Sequence, residues 1–208
     1  MLQASELCCD RGDRRLFEGL GFTLASGEAL HISGRNGSGK TTLLRLMAGL
    51  TVPTEGELRW KGQTIQSLKE EFSAQICYLG HLNGLKAELT ALENLAAAAA
   101  INGLLSDPDR HWQALERMGL RGYEDLPTKV LSQGQKRRVA LARLLLSTAS
   151  LWILDEPFVA LDTAAVSELQ DVLTDHVAGG GMLALTTHQA FSLRHGQLRE
   201  LRLGEVTR

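Results

Sequence analysis

The chain has 208 residues, 44% apolar and 22% charged, with 22 lysines and arginines against 24 acidic residues and a formal net charge of -2. That length carries one core, or one core with a lobe, and is too short for two independent cores plus a linker. The composition excludes a disordered or collagen-like chain, and the charge balance leaves no excess of cations to drive nucleic-acid or membrane-surface binding.

Aromatic residues make up only 5% of the chain, which suits helices packed on a sheet better than a β-sandwich. The N-terminal Met1-Leu2-Gln3-Ala4-Ser5-Glu6, with Asp10, Arg11 and Asp13 close behind, does not read as a signal peptide. Cys8, Cys9 and Cys77 are odd in number, two of them adjacent, and show no C-x-x-C or C-x-x-C-H spacing. They make no disulfide framework, zinc site or haem attachment, and they point to a reducing compartment. Over residues 1–33, short apolar runs at Leu16-Phe17, Phe22–Leu24 and Ala29–Ile32 alternate with Gly and charged turns, predicting strands and hairpins. From Gly34 a Gly-rich loop leads into a helical pattern from Lys40, closed by Gly49. Strands are predicted at Gly56–Trp60 and Gln75–Leu79.

The middle, about residues 85–148, reads as helical. Thr90-Ala91-Leu92-Glu93 is a capping box, and the alanine run Ala96–Ala100 needs no account beyond helix propensity. Pro108 and Pro127 bound a second helix, His111–Met118. The most apolar stretch, Val139–Leu154, is interrupted by Arg143 and Ser147–Ser150 and falls short of the ~20 residues that span a membrane. A soluble, cytoplasmic chain is expected. The last third alternates strand Leu151–Leu154, helix Ala164–Val177, strand Met182–Thr186 and a short terminal hairpin. Strand–helix alternation around a helical insertion predicts an α/β sheet with a helical lobe.

Four segments carry chemistry. Gly34-Arg35-Asn36-Gly37-Ser38-Gly39-Lys40-Thr41 matches G-x-x-x-x-G-K-[ST] between a predicted strand and a predicted helix, the context that loop requires. Its glycines let backbone N–H groups close on phosphate oxygens, and the helix N-terminus adds positive potential. Lys40 reaches the terminal phosphates, Thr41 offers a hydroxyl to Mg2+, and Thr42 stands beside it in the nucleotide-binding set. Next, Leu131-Ser132-Gln133-Gly134-Gln135 opens a basic helix, Lys136–Arg143. This is a second anion site, a plain N-cap, or a solvated basic face; by itself the segment does not decide. Ser150–Glu156 is an apolar strand ending in two carboxylates, where Asp155 can hold Mg2+ and Glu156 can orient or deprotonate a water. Finally, Thr187-His188 falls at another strand's carboxyl end, where an imidazole can donate to a terminal phosphate.

In this order the four segments resemble the nucleotide-binding subunit of ABC transporters over nearly the whole chain. The resemblance implies an α/β P-loop NTPase of ABC type, with a mixed parallel/antiparallel sheet core and an inserted helical lobe. It implies one domain over residues 1–208, with 1–81 and 149–208 forming the nucleotide-binding core and about 82–148 the lobe. Leu131–Gln135 corresponds to the family signature, with Gln133 where Gly is usual. Asp155 and Glu156 match the metal-binding and catalytic acids, Ala160-Leu161-Asp162 the dimer-contacting loop, and His188 the switch histidine. ATP and Mg2+ are the implied cofactors. A chain with one phosphate loop and one signature completes its sites only by pairing, so a homodimer is implied, with Ser132 and Gly134 acting in trans on the terminal phosphate and Gln135 beside them in the nucleotide-binding set.

Two positions depart from the family. His81, in Tyr78-Leu79-Gly80-His81, stands where Gln is usual, and imidazole is a softer ligand than an amide oxygen. The adenine-stacking aromatic is absent near Asp10-Arg11-Gly12; Arg11, Phe17 or neither could take its place. Gly80–Lys86, Leu89–Leu95, the Arg-Arg-Val-Ala-Leu-Ala-Arg-Leu run and Thr-Thr-His-Gln together look like the ATPase of bacterial cytochrome c maturation, a haem-exporter type. That implies a peripheral protein at the cytoplasmic face of the inner membrane, with integral-membrane ABC subunits and haem-handling membrane proteins as partners. It also implies no nucleic-acid partner and no direct haem binding. The closest alternative is an ABC ATPase subunit serving another substrate; a P-loop small-molecule kinase would have no use for Ser132.

Overall fold

The computed structural model describes residues 1–12, 14–103 and 107–204, so Asp13 lies outside it. The first half contains β1 (Leu2–Arg11), β2 (Arg14–Leu24), β3 (Glu28–Gly34), α1 (Lys40–Met47), β4 (Glu55–Trp60), β5 (Gln63–Thr64), α2 (Ile65–Ser73) and β6 (Ile76–Leu79). The second half contains α3 (Ala91–Ile101), α4 (Pro108–Arg117), a 3-10 turn at Thr128–Val130, α5 (Gln133–Leu146), β7 (Leu151–Asp155), α6 (Thr163–Ala178), β8 (Met182–Thr186) and β9 (Gln197–Leu203).

The strands form two sheets. An antiparallel one runs β2-β1-β4-β5 and a parallel one runs β6-β7-β8-β3-β9. Alternation along the parallel strands sorts two cores. Leu30, Ile32, Leu151, Ile153, Met182 and Ala184 face α1 and the antiparallel sheet, meeting Leu43, Leu44, Leu2, Leu58 and Trp60. Ala29, Trp152, Leu154, Leu183 and Leu185 face the other way, against α5 and α6. Buried on both faces, β7 and β8 read as unbroken apolar runs, as parallel strands do. Helices α3, α4 and α5 share the second core through Leu95, Leu115, Val139 and Leu141.

The capping box at Thr90/Glu93 forms as read, and Asp107 caps α4 with Pro108 in its first turn. Two elements differ from the sequence reading. The charged segment Ile65–Ser73 is a helix, kinked at Lys69 (φ 34). There is no terminal hairpin among the described residues: β9 lies parallel to β3 at the sheet edge, from Glu28↔Gln197 to Gly34↔Leu203. No helix of the described residues is long and apolar enough to cross a membrane.

At the end of α6 the His176 ring stacks on Trp152 (3.8 Å between centroids, 5° between planes), with Nε2 3.1 Å from the Met182 carbonyl. Burial pushes its pKa below the usual value, partly offset by that carbonyl. The unfolded chain therefore binds a proton before the folded one does. Stability is complete above the unfolded value near 6.5 and falls as the pH drops below it, by at most about 1.4 kcal/mol per pH unit per histidine. We expect the melting temperature to decline from pH 7 to 5.5. His176→Phe, which keeps the stacked ring but gains no proton, should decline less; an identical decline would exclude His176 as the source.

Candidate active site

The order β7-β8-β3 sets the carboxyl ends of three strands side by side, where ligands of parallel sheets bind. From β3 the chain enters the loop 34–39, and Gly39 (φ 97) begins α1. Gly34 allows a close approach, since a Cβ there would stand 2.6 Å from the Leu203 carbonyl. The first N–H groups of α1, those of Lys40, Thr41 and Thr42, have no acceptor within their own helix and open toward the loop. Lys40 Nζ donates back to the carbonyls of Gly34 (2.8 Å) and Arg35 (3.3 Å), and Arg35 O also accepts from Ser38 N (3.1 Å). The Ser38 hydroxyl is buried without a partner. Arg35, Asn36 and Ser38 line the mouth of a cavity that also includes Arg14 and Leu16.

Across from the loop, the Thr41 hydroxyl donates to Asp155 Oδ2 (2.8 Å) and the Thr186 hydroxyl to Asp155 Oδ1 (2.7 Å). Asp155 is 3% exposed and accepts no other side-chain hydrogen bond among the described residues, leaving about half of its roughly four lone-pair sites open. A hydroxyl and a carboxylate, both hard oxygen donors, fit Mg2+. No cluster of three or more His, Cys, Asp or Glu side chains among the described residues is arranged to hold a metal.

Glu156 takes a left-handed backbone (φ 49), uncommon for a residue with a side chain, and its N–H donates to Thr186 O (3.2 Å) and Oγ1 (3.0 Å). That bend turns its carboxylate toward His188, whose Nε2 stands 3.5 Å from Oε1. His188 is exposed, so it can still reach a phosphate entering from solvent. Lys40, Thr41, Asp155, Glu156 and His188 thus gather at one sheet end.

Ser132, Gly134 and Gln135 do not join them. Ser132 Oγ accepts from Gln135 N (3.2 Å) while Gln135 Oε1 accepts from Ser132 N (2.9 Å), closing a capping box at the start of α5. Among the described residues no hydrogen bond links them to the loop 34–42. Gly134 lies against the turn after β7; a Cβ there would be 2.7 Å from Ala160 O. Phe17 is buried in the core, while Arg11 is exposed at the β1–β2 turn and His81 is exposed after β6.

Two residues escaped the sequence reading. Thr186, fully buried, holds both Asp155 and Glu156. Its signal was a hydroxyl at the end of an apolar strand. Arg137, read as part of a basic helix face, is buried at 4% exposure beside the turn 155–157.

The ABC transporter family matches this chain over residues 17–159. The chain is 56% identical over 204 residues to the cytochrome c biogenesis ATP-binding export protein CcmA of Dechloromonas aromatica, covering 98% of this chain and 100% of that one. It is 47% identical to the protein of the same name from Aliivibrio fischeri, covering 99% and 100%. Its fold is similar to that of a dimeric bacterial ABC transporter cassette, with a TM-score of 0.85, 26% identity and coverage of 100% and 97%.

Proposed function

The chain belongs to the ABC transporter family, and from that premise we propose that it is the ATP-hydrolysing subunit of a membrane complex for c-type cytochrome biogenesis. The observation that carries this reading is 56% identity over 98% of the chain to a cytochrome c biogenesis ATP-binding export protein. The chain works as a pair at the cytoplasmic face of the bacterial inner membrane, docked on integral-membrane subunits. It couples ATP hydrolysis to haem export or to release of a haem-loaded chaperone, with haem itself handled by its partners.

Backbone N–H groups of residues 34–42 and the Lys40 ammonium hold the phosphates. Lys40 exchanges its two carbonyl acceptors for phosphate oxygens. Thr41 and Asp155 would hold Mg2+, which offsets phosphate charge when bound. Glu156 orients a water and accepts its proton, and His188 donates to the terminal phosphate as charge builds there. Ser132, Gly134 and Gln135, with no hydrogen bond to their own loop among the described residues, serve the nucleotide of the second subunit. The core of residues 1–81 and 149–208 carries the loop and the acids, and the lobe of about 82–148 carries the signature.

The reading is tested by deleting the gene and following haem-stained c-type cytochromes while restoring the parental chain or a Lys40→Ala variant. Loss of c-type cytochromes, restored by the parent alone, is expected. Normal c-type cytochromes in the deletion would instead favour an ABC subunit serving another substrate. The loop 81–86 supplies the docking contact, since Leu82 is 84% exposed at its tip. A photocrosslinker at Leu82 should capture a membrane subunit, whereas one at Arg121, whose side chain is 77% exposed, should not. The reverse pattern would place docking elsewhere.

A further inference from the structure

After its first three residues, helix α5 carries three cations in succession, Lys136, Arg137 and Arg138, which the helical repeat fans into three directions about 100° apart. Arg137 takes the inward one. Among the described residues its guanidinium forms no ion pair with a carboxylate, yet each of its five N–H groups has an acceptor. Nε donates to Pro157 O (3.3 Å), and Nη2 donates to Asp155 O (2.9 Å) and Glu156 O (2.8 Å). Nη1 donates to Gly80 O (3.1 Å) and Asn83 Oδ1 (3.1 Å). Burial pushes its pKa down to about 10, so it stays protonated at neutral pH.

A buried cation whose hydrogen bonds all go to neutral oxygens is costly even with the Asp155 and Glu156 charges nearby, and an apolar side chain of similar volume would fill the space more cheaply. What an apolar chain could not do is bridge. Two of the acceptors lie on the loop after β6, one at the end of β7 and two on the turn that follows it. The loop is fixed along its length: Asn83 O accepts from Arg143 Nη2 (3.1 Å), while Lys86 is held by Asn94 and by Thr128 Oγ1 (2.8 Å). The turn is fixed on its far side by Thr186, and beyond the last β6–β7 pair, Leu79↔Leu154, Arg137 hydrogen-bonds to both the turn and the loop.

We propose that Arg137 is a positioning residue that locks the backbone of Glu156 to the loop 80–83, so that a displacement of this loop is passed to the Glu156 carboxylate. The proposal rests on the reading of Glu156 as the water-orienting acid. It gives the loop at which a membrane partner would dock a direct mechanical route to hydrolysis, with no change at the phosphate loop.

In the full-length protein, Arg137→Gln should lower kcat about 10- to 100-fold while the ATP KM stays within about twofold, because the carboxylate is misplaced but the phosphate contacts are intact. Arg137→Lys should not rescue it, since a point charge cannot span the two segments as the planar fork does. Parental kcat in Arg137→Gln, a loss carried by KM alone, or rescue by lysine would each overturn the proposal. If Arg137→Gln does not fold, Asn83→Ala decides. Removing that single acceptor should speed amide exchange over residues 155–161 and leave exchange within α6 unchanged; unaltered exchange at 155–161 would overturn it. The exchange measurement needs no hydrolysis. A parental chain without ATPase activity would therefore sink the reading of Glu156, and exchange alone would then decide the lock.

Discussion

Glu156→Gln should bind ATP as tightly as the parental protein and lose turnover by roughly 100- to 10,000-fold, the range a positioned general base contributes. The side chain is 17% exposed, its N–H is fixed by Thr186, and its backbone bend aims it at His188. The amide keeps that volume and placement but cannot accept a proton from water. Lys40, Thr41 and the loop N–H groups are untouched, so nucleotide affinity is preserved. With hydrolysis stalled, ATP should hold two subunits together, visible as a dimer on size exclusion in ATP and a monomer in ADP. Phosphate release at the parental rate would exclude Glu156 from this role.

Lys40→Ala should give the opposite pattern, with affinity lost first. A charged hydrogen bond contributes about 1.5–3 kcal/mol, so removing the ammonium from the phosphates should weaken ATP binding roughly 10- to 100-fold or more. The fold should survive. The two carbonyls that Lys40 meets, those of Gly34 and Arg35, lie at a partly open loop where water can replace it. Titration with a fluorescent nucleotide alongside a melting curve separates the two effects. Unchanged affinity would remove Lys40 from the phosphate site, and a collapsed melting temperature would assign it to the fold instead.

Much of this site was legible in the residues alone because its parts are local. A glycine-rich loop between a strand and a helix, and an apolar run ending in Asp155-Glu156, each spell their geometry over fewer than ten residues. What escaped depends on pairs far apart. Nothing near Thr186 announces that its hydroxyl meets Asp155, 31 positions away, and Thr41 meets the same carboxylate across 114. Arg137 sits in a run that reads as a solvated basic face; only the packing of α5 on the turn after β7 shows that it points inward. The last strand was read as half of a hairpin because hairpins are local, whereas its partner is β3, whose residues lie some 170 positions earlier. Helix α2 was missed since its charged sequence and the bend at Lys69 blur the helical period.

The pairing of β3 bears on how the protein is made. Both hydrogen-bonded neighbours of this strand, β8 and β9, come from residues 182–203, and the carbonyl of Leu203 lies against Gly34, the first residue of the loop proposed to hold phosphate. Such distant parallel pairing closes late. On the ribosome, the segment bearing the glycine-rich loop emerges early and must wait, without a sheet neighbour on either side, until residues 182–203 follow. Nascent chains halted before residue 182 should therefore not retain nucleotide, and ATP capture becomes a signal that translation has passed the partners of β3.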